Sequence, residues 1–290
     1  MDRCIAVMVV VALSVACGDP VPKQAAYGPQ VFDTTSDSQG ADTVGLAAAA
    51  SAGGDDGIWA LATEWSTCVE VGDLRLELKS YKLLRVEVAT AGVFWQEKRQ
   101  VCSVKNSPLL GQATVFPPKL IASVPVMPVA SARKPDGSYL SSFEAQVIGV
   151  LLANPLLDDM PLDAADPRVF DSDKDGNPGG TLQVGTLCEV YQANRARSQI
   201  FGQQVAAGRI EGGALHSVSQ VFLGGTSAFC TQPFPTTDNH PEHRFVLVKA
   251  LAMGLDTDGD GAVTCNEIIA GQEKIITWRP ADDKRCQLPK

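Results

Sequence analysis

The dominant hydrophobic period in this chain is two, and that period limits it to sheets packed on one face. Leu74, Leu76 and Leu78 alternate with Arg75, Glu77 and Lys79. A strand sends successive side chains to opposite faces, so the pattern reads as a half-buried strand. Val86 and Val88 flank Glu87, and Phe143, Ala145 and Val147 flank Glu144 and Gln146 in the same way. The run Val147 to Leu152 is nearly all apolar and reads as a central strand. Turn formers interrupt the chain at short intervals, at Pro117-Pro118, Pro135-Asp-Gly137, Gly179-Gly180, Gly212-Gly213 and Gly224-Gly225. The expected fold is mainly β, an antiparallel β-barrel or sandwich of about eight to ten strands. Helix is scarce. One short C-terminal helix is expected, where Ile268, Ile269, Gln272, Ile275 and Ile276 share a helical face ahead of Pro280, whereas Phe245 to Leu251 reads equally as strand.

Just before that helix stands Asp256-Thr-Asp-Gly-Asp-Gly-Ala-Val-Thr-Cys-Asn-Glu267. Carboxylates occupy loop positions 1, 3 and 5 (Asp256, Asp258, Asp260), glycine position 6 (Gly261) and glutamate position 12 (Glu267). The segment resembles an EF-hand calcium loop. Calcium is a hard cation that takes six to eight oxygens at roughly 2.3–2.6 Å, so a loop must surround it. The resemblance implies that Ala262 offers its carbonyl, that Thr264 acts through a water, that Glu267 closes the sphere with both oxygens, and that Val263 anchors the loop to a core. Calcium is therefore the expected cofactor. An EF-hand has a helix on both sides; here the preceding segment is rich in β-formers, which suggests a solitary loop grafted onto a β-domain.

A partial copy lies at Asp171-Ser-Asp-Lys-Asp-Gly-Asn-Pro-Gly-Gly-Thr-Leu182. Asp171, Asp173, Asp175 and Gly176 repeat the first half of the plan, but Leu182 stands where the glutamate belongs and Pro178 has no N–H to offer. A further carboxylate from Asp166 or Glu189 would complete a cation site; otherwise the segment is a turn between strands.

The first residues are short and basic, then apolar from Cys4 to Ala16, too short a run to span a bilayer and suited to a secretory signal over residues 1–16. Leu13-Ser-Val-Ala-Cys17 resembles a bacterial lipobox, which implies diacylation of Cys17 and a membrane partner reached through that anchor. Residues 17–57 are small, polar and acidic and read as a linker, with a mean reach on the order of 35 Å. Residues 58–290 form the expected β-domain. Six cysteines remain there: Cys68, Cys102, Cys188, Cys230, Cys265 and Cys286. An even number in an exported chain implies three disulfides, and nearness along the chain favours Cys68–Cys102, Cys188–Cys230 and Cys265–Cys286. The expected location is the cell envelope, or alternatively the secreted fraction.

Motifs for catalysis are scarce. No GxSxG elbow, P-loop, GxGxxG or HExxH is present. His240-Pro-Glu-His243 reads as an exposed loop. The formal charge of −9 argues against nucleic acid. Trp59, Trp65, Trp95 and Trp278 read as core. Gly57-Ile-Trp59 resembles the G-x-W opening of lipocalin-like barrels, which implies a barrel binding an apolar ligand as the alternative function. A calcium-supported secreted hydrolase is the third, and would need a histidine beside an acidic residue in a cleft. The leading expectation is a calcium-binding cell-envelope lipoprotein, its calcium mainly structural, with no catalytic role and with no protein or small-molecule partner named by the residues.

Overall fold

Alternating inward and outward residues close a sheet whose two faces carry different work. The computed structural model describes residues 54–71, 73–228, 231, 236–238, 243–276 and 286. Twelve strands are seen among them: β1 (Gly57–Val71), β2 (Leu74–Ala91), β3 (Phe94–Asn106), β4 (Thr114–Val115), β5 (Met127–Arg133), β6 (Ser138–Ser141), β7 (Glu144–Ile148), β8 (Gly180–Val184), β9 (Cys188–Ala206), β10 (Arg209–Gly225), β11 (Thr236–Asp238) and β12 (Arg244–Lys249). Three short helices accompany them: α1 (Pro118–Ser123), α2 (Cys265–Ala270) and α3 (Gln272–Ile275). The fold is mainly β and antiparallel, as the period of two required. β1 pairs β2, β2 pairs β3, β3 pairs β5, β5 pairs β6, β6 pairs β9, β9 pairs β10, β10 pairs β12, and β12 returns to β1. The sheet thus follows a ring. β4 and β8 bridge β3 to β9 a second time, β7 lies along β9, and β11 lies along β1.

The inner face gathers Trp59, Leu61 and Trp65 of β1, Leu84 and Val86 of β2, Trp95 of β3, Tyr139 of β6, Ile200 of β9, and Phe245 and Leu247 of β12 into one apolar cluster. The tryptophans at 59, 65 and 95 are core residues, as expected; Trp278 lies outside the described residues. Helix α1 adds Leu120, fully buried in the same cluster. Pro117-Pro118 is expected to form a turn. Pro118 instead opens the helix, where its missing N–H has no helical acceptor to lose.

β1 and β12 are buried on their outer faces too. Ala60, Ala62, Val246 and Val248 form a second cluster with Leu255, Val263, Ile268 and Ile275. Small alanines on β1 leave room for the C-terminal segment to lie close against the strand. The expected single helix is broken at Gly271 into α2 and α3, and both halves bury isoleucine there.

Two strand assignments need correction. The apolar run after Val147 is not a central strand: β7 ends at Ile148, and Val150 makes only an isolated bridge to Val169. The phase of β7 is also opposite to expectation. Gln146 and Ile148 are buried, while Phe143 is exposed. The reason is polar. Inside the ring, Arg99 pairs with Glu97 at 2.7 Å and with Glu144 at 3.0 Å, and its guanidinium also donates to the Tyr139 hydroxyl at 3.0 Å. Tyr139 and Ser131 donate to Glu97, Ser198 donates to Glu144 at 2.9 Å, and Lys82 donates to Gln146 at 2.6 Å. Burial pushes the Lys82 ammonium below its usual range. Two cations and two carboxylates balance, so β7 turns its polar side inward to complete a network whose members satisfy one another.

Candidate metal centre

The Asp256–Glu267 loop follows β12 and a turn over residues 250–254, and it runs into α2. It is flanked by strand on one side and helix on the other, so it is not a paired-helix unit. Leu255 and Val263, both fully buried, hold its two ends in the outer cluster. Val263 is the apolar anchor expected at position 8. Its carbonyl accepts from Arg85 Nε on β2 at 2.7 Å, and Cys265 is disulfide-bonded to Cys102 on β3. The β2–β3 register shifts beside Cys102: Leu83 faces Ser103 and Leu84 faces Val101, leaving Cys102 as the extra residue. A bulge re-aims one side chain, here outward toward the loop.

Between these fixed ends the aspartates converge. One carboxylate oxygen from each of Asp256, Asp258 and Asp260 lies within 4.8 Å of the others. Backbone N–H groups hold them there: Gly259 and Gly261 donate to Asp256 at 2.7 and 3.0 Å, Asp260 to Asp258 at 3.2 Å, and Ala262 to Asp260 at 2.7 Å. Gly259 and Gly261 have φ of 75° and 82°, a region that favours residues without a Cβ.

Glu267 does not join that trio. Its Oε1 accepts from Thr257 N at 2.7 Å and Thr257 Oγ1 at 3.1 Å, and its Oε2 from Thr264 N at 2.8 Å and Thr264 Oγ1 at 2.9 Å. Thr264 is the N-cap of α2 and Glu267 its third residue, a reciprocal capping box. The glutamate therefore joins position 2 to position 9 and draws the loop closed. Its backbone N–H donors, first Thr264 and then Thr257, hold the carboxyl down to about 2. Ala262 lies on the exposed rim of the loop.

In the second loop the same half-plan recurs. Asp171, Asp173 and Asp175 also bring oxygens within 4.8 Å of one another. Gly176 N donates to Asp171 Oδ2 at 2.8 Å and Asn177 N to Asp175 Oδ1 at 2.8 Å, which match the bonds made by Gly261 and Ala262. Lys174 and Gly176 take φ of 58° and 94°, as Gly259 and Gly261 do. Neither expected helper arrives. Asp166 is held by Arg168 at 2.7 Å, and Glu189 stands on β9 outside the cluster. Leu182 lies on β8 in the inner core.

The disulfide expectation is corrected. The bonds seen are Cys68–Cys286 and Cys102–Cys265, spanning 218 and 163 residues, which replace the expected Cys68–Cys102 and Cys265–Cys286. Cys188 is also disulfide-bonded; Cys230, Cys17 and the signal segment lie outside the described residues. His243 is likewise corrected. It is buried rather than in an exposed loop, with Nε2 2.9 Å from Ser66 O and its ring edge-on to Trp65, on which His216 stacks at 4.1 Å. His240 lies outside the described residues.

What sequence reading missed is the Glu97–Arg99–Glu144 network. A signal for it existed: Trp95 and Val101 set the inward phase of β3, and Glu97 and Arg99 share it. No family model, no curated protein and no solved structure matches this chain.

Proposed function

We propose that the chain is an exported, calcium-binding β-protein whose Asp256–Glu267 loop acts as a rigid staple, and that it is held on the cell envelope through a lipidated Cys17. The observation that carries the reading is the convergence of Asp256, Asp258 and Asp260 within 4.8 Å on a loop anchored by Val263 and by Cys102–Cys265. Three carboxylates so close repel one another, and a hard cation with oxygen preference relieves that repulsion. An anchored loop changes little on binding, so calcium here stabilises the fold and drives no helix opening. Buried disulfide-bonded cysteines support an oxidising location. The protein acts by binding and is not an enzyme.

Extracellular calcium modules bind at roughly 10⁻⁴–10⁻³ M, so millimolar calcium adds about 1 kcal/mol by mass action. For a domain of this size that raises Tm by about 2–4 °C. Melting curves in calcium and in chelator test it: Asp258→Asn reduces the shift, and an unchanged midpoint in the wild-type chain overturns the structural role. Glu267→Gln reduces the shift as well, because the loop can no longer close.

A further inference from the structure

We propose that the second acidic loop, Asp171–Asp175, is itself a site for a hard divalent cation, which ties the long excursion between β7 and β8 to the ring. The inference is independent of the Asp256 loop. It rests on Asp173. This side chain is only 7% exposed, its Oδ2 accepts from Thr181 N at 3.1 Å at the start of β8, and its Oδ1 is buried without a hydrogen-bond partner. A buried carboxylate oxygen with nothing to accept from is costly, and native structures rarely leave one so. Among the described residues no lysine or arginine pairs with Asp171, Asp173 or Asp175. Yet one carboxylate oxygen from each of the three lies within 4.8 Å of the others. One species satisfies both facts: a cation that accepts the orphan oxygen as a ligand and neutralises its neighbours.

The donor set defines the class of ion. Every side-chain ligand is a carboxylate oxygen, with no nitrogen or sulfur among them, which favours calcium or magnesium over transition metals. No glutamate closes the sphere, so carbonyls and water must supply the remaining positions, and binding is weaker than a loop with its twelfth ligand achieves.

Position in the fold gives the site its purpose. Residues 149–179 leave β7 and return to β8 without forming a strand of their own. They are held at the base by close packing of Gly149 on Gly179, where a Cβ on Gly149 would stand 2.6 Å from Gly179 Cα, and by Ser172 N donating to Gly179 O at 2.8 Å. The excursion exposes Leu151, Leu157 and Leu162. Asp173 is its link to Thr181, so a cation bound there fixes the returning end of the segment against β8, while Arg195 and Arg197 of β9 hold its middle through the Asp158 and Leu156 carbonyls.

The test uses the full chain, stripped with chelator and titrated calorimetrically with calcium chloride, then with magnesium chloride. The expected result is two sites in the wild type. Asp173→Asn removes one. Asp175→Asn, at an exposed position where folding is not at stake, weakens the same site at least tenfold. Calcium also slows amide exchange over residues 171–181 at least tenfold, and does so in Asp258→Asn. Unchanged binding in both Asp173→Asn and Asp175→Asn, with no calcium effect on exchange at 171–181, overturns the inference. Loss of only the Asp258-dependent site would fell the proposed staple and leave this one standing.

Discussion

The two acidic loops share a first half and part company at the end, and the difference lies in the element each one enters. Both use aspartates at positions 1, 3 and 5, and both place φ > 0 at positions 4 and 6. The Asp256 loop then enters α2. A helix curls its third residue back over its own N-terminus, so Glu267 reaches Thr257 and Thr264 and closes the loop. The Asp171 loop enters β8. A strand advances about 3.3 Å per residue and sends alternate side chains to opposite faces, so its position 12 is carried away and committed to the core. Leu182 is that residue, buried in the ring. The loop with a helical exit keeps its aspartates toward solvent and buries Glu267; the loop with a strand exit buries Asp173. Exit geometry, more than the aspartates themselves, separates a loop that its twelfth residue draws closed from one whose twelfth residue is carried into the core.

The strongest way to break this comparison is to restore the missing glutamate. If residue identity were the only difference, Leu182→Glu would complete the second loop and raise its calcium affinity. If exit geometry decides, the new carboxylate points into the apolar ring. An unpartnered buried charge costs about 3–5 kcal/mol, so urea unfolding should show that loss with no gain in affinity. A smaller effect sharpens the other side. Cys102→Ser with Cys265→Ser frees the Asp256 loop from β3 and should cost about 2–4 kcal/mol. It should also weaken calcium binding at that loop alone, leaving the exchange rates at residues 171–181 unmoved. Equal weakening at both loops would show that the two are coupled through the sheet.

Much of this was legible in the sequence. The period of two foretold an antiparallel β-protein, and the resemblance of Asp256–Glu267 to an EF-hand loop implied Val263 as its anchor. The partners of Cys68 and Cys102 were not legible. Nearness along the chain is a poor guide when the sheet places β3 beside a loop 163 residues later. The phase of β7 failed because hydrophobic alternation assumes an apolar interior, and this ring holds Arg99, Glu97 and Glu144 within it. The same assumption left His243 in solvent, although its ring packs on Trp65 and its Nε2 meets Ser66 O. Asp173 was hidden for a related reason: its burial comes from the turn toward Thr181, a contact that ligand spacing alone does not reveal.

The smallest expected effect separates the loops by the sign of their pH dependence in chelator. Glu267 has its carboxyl held down to about 2 by the Thr264 and Thr257 N–H groups, below the usual value of about 4.3. Its contribution to stability is thus fully present above about 4.3 and is lost as pH falls toward 2. Asp173 goes the other way. Burial, reinforced by Asp175 and Asp171 and opposed by the Thr181 N–H, pushes its carboxyl above the usual value of about 3.9. Folding therefore disfavours its ionised form, and its contribution is fully present below about 3.9 and lost as pH rises through the raised value. Carboxyl carbon NMR titration reads each group separately, and the two midpoints should fall on opposite sides of the ordinary range. Calcium should then lower the Asp173 midpoint, since a bound cation favours the ionised carboxylate. Midpoints displaced to the same side would mean that the two loops, alike in their aspartates, are alike in their electrostatics too.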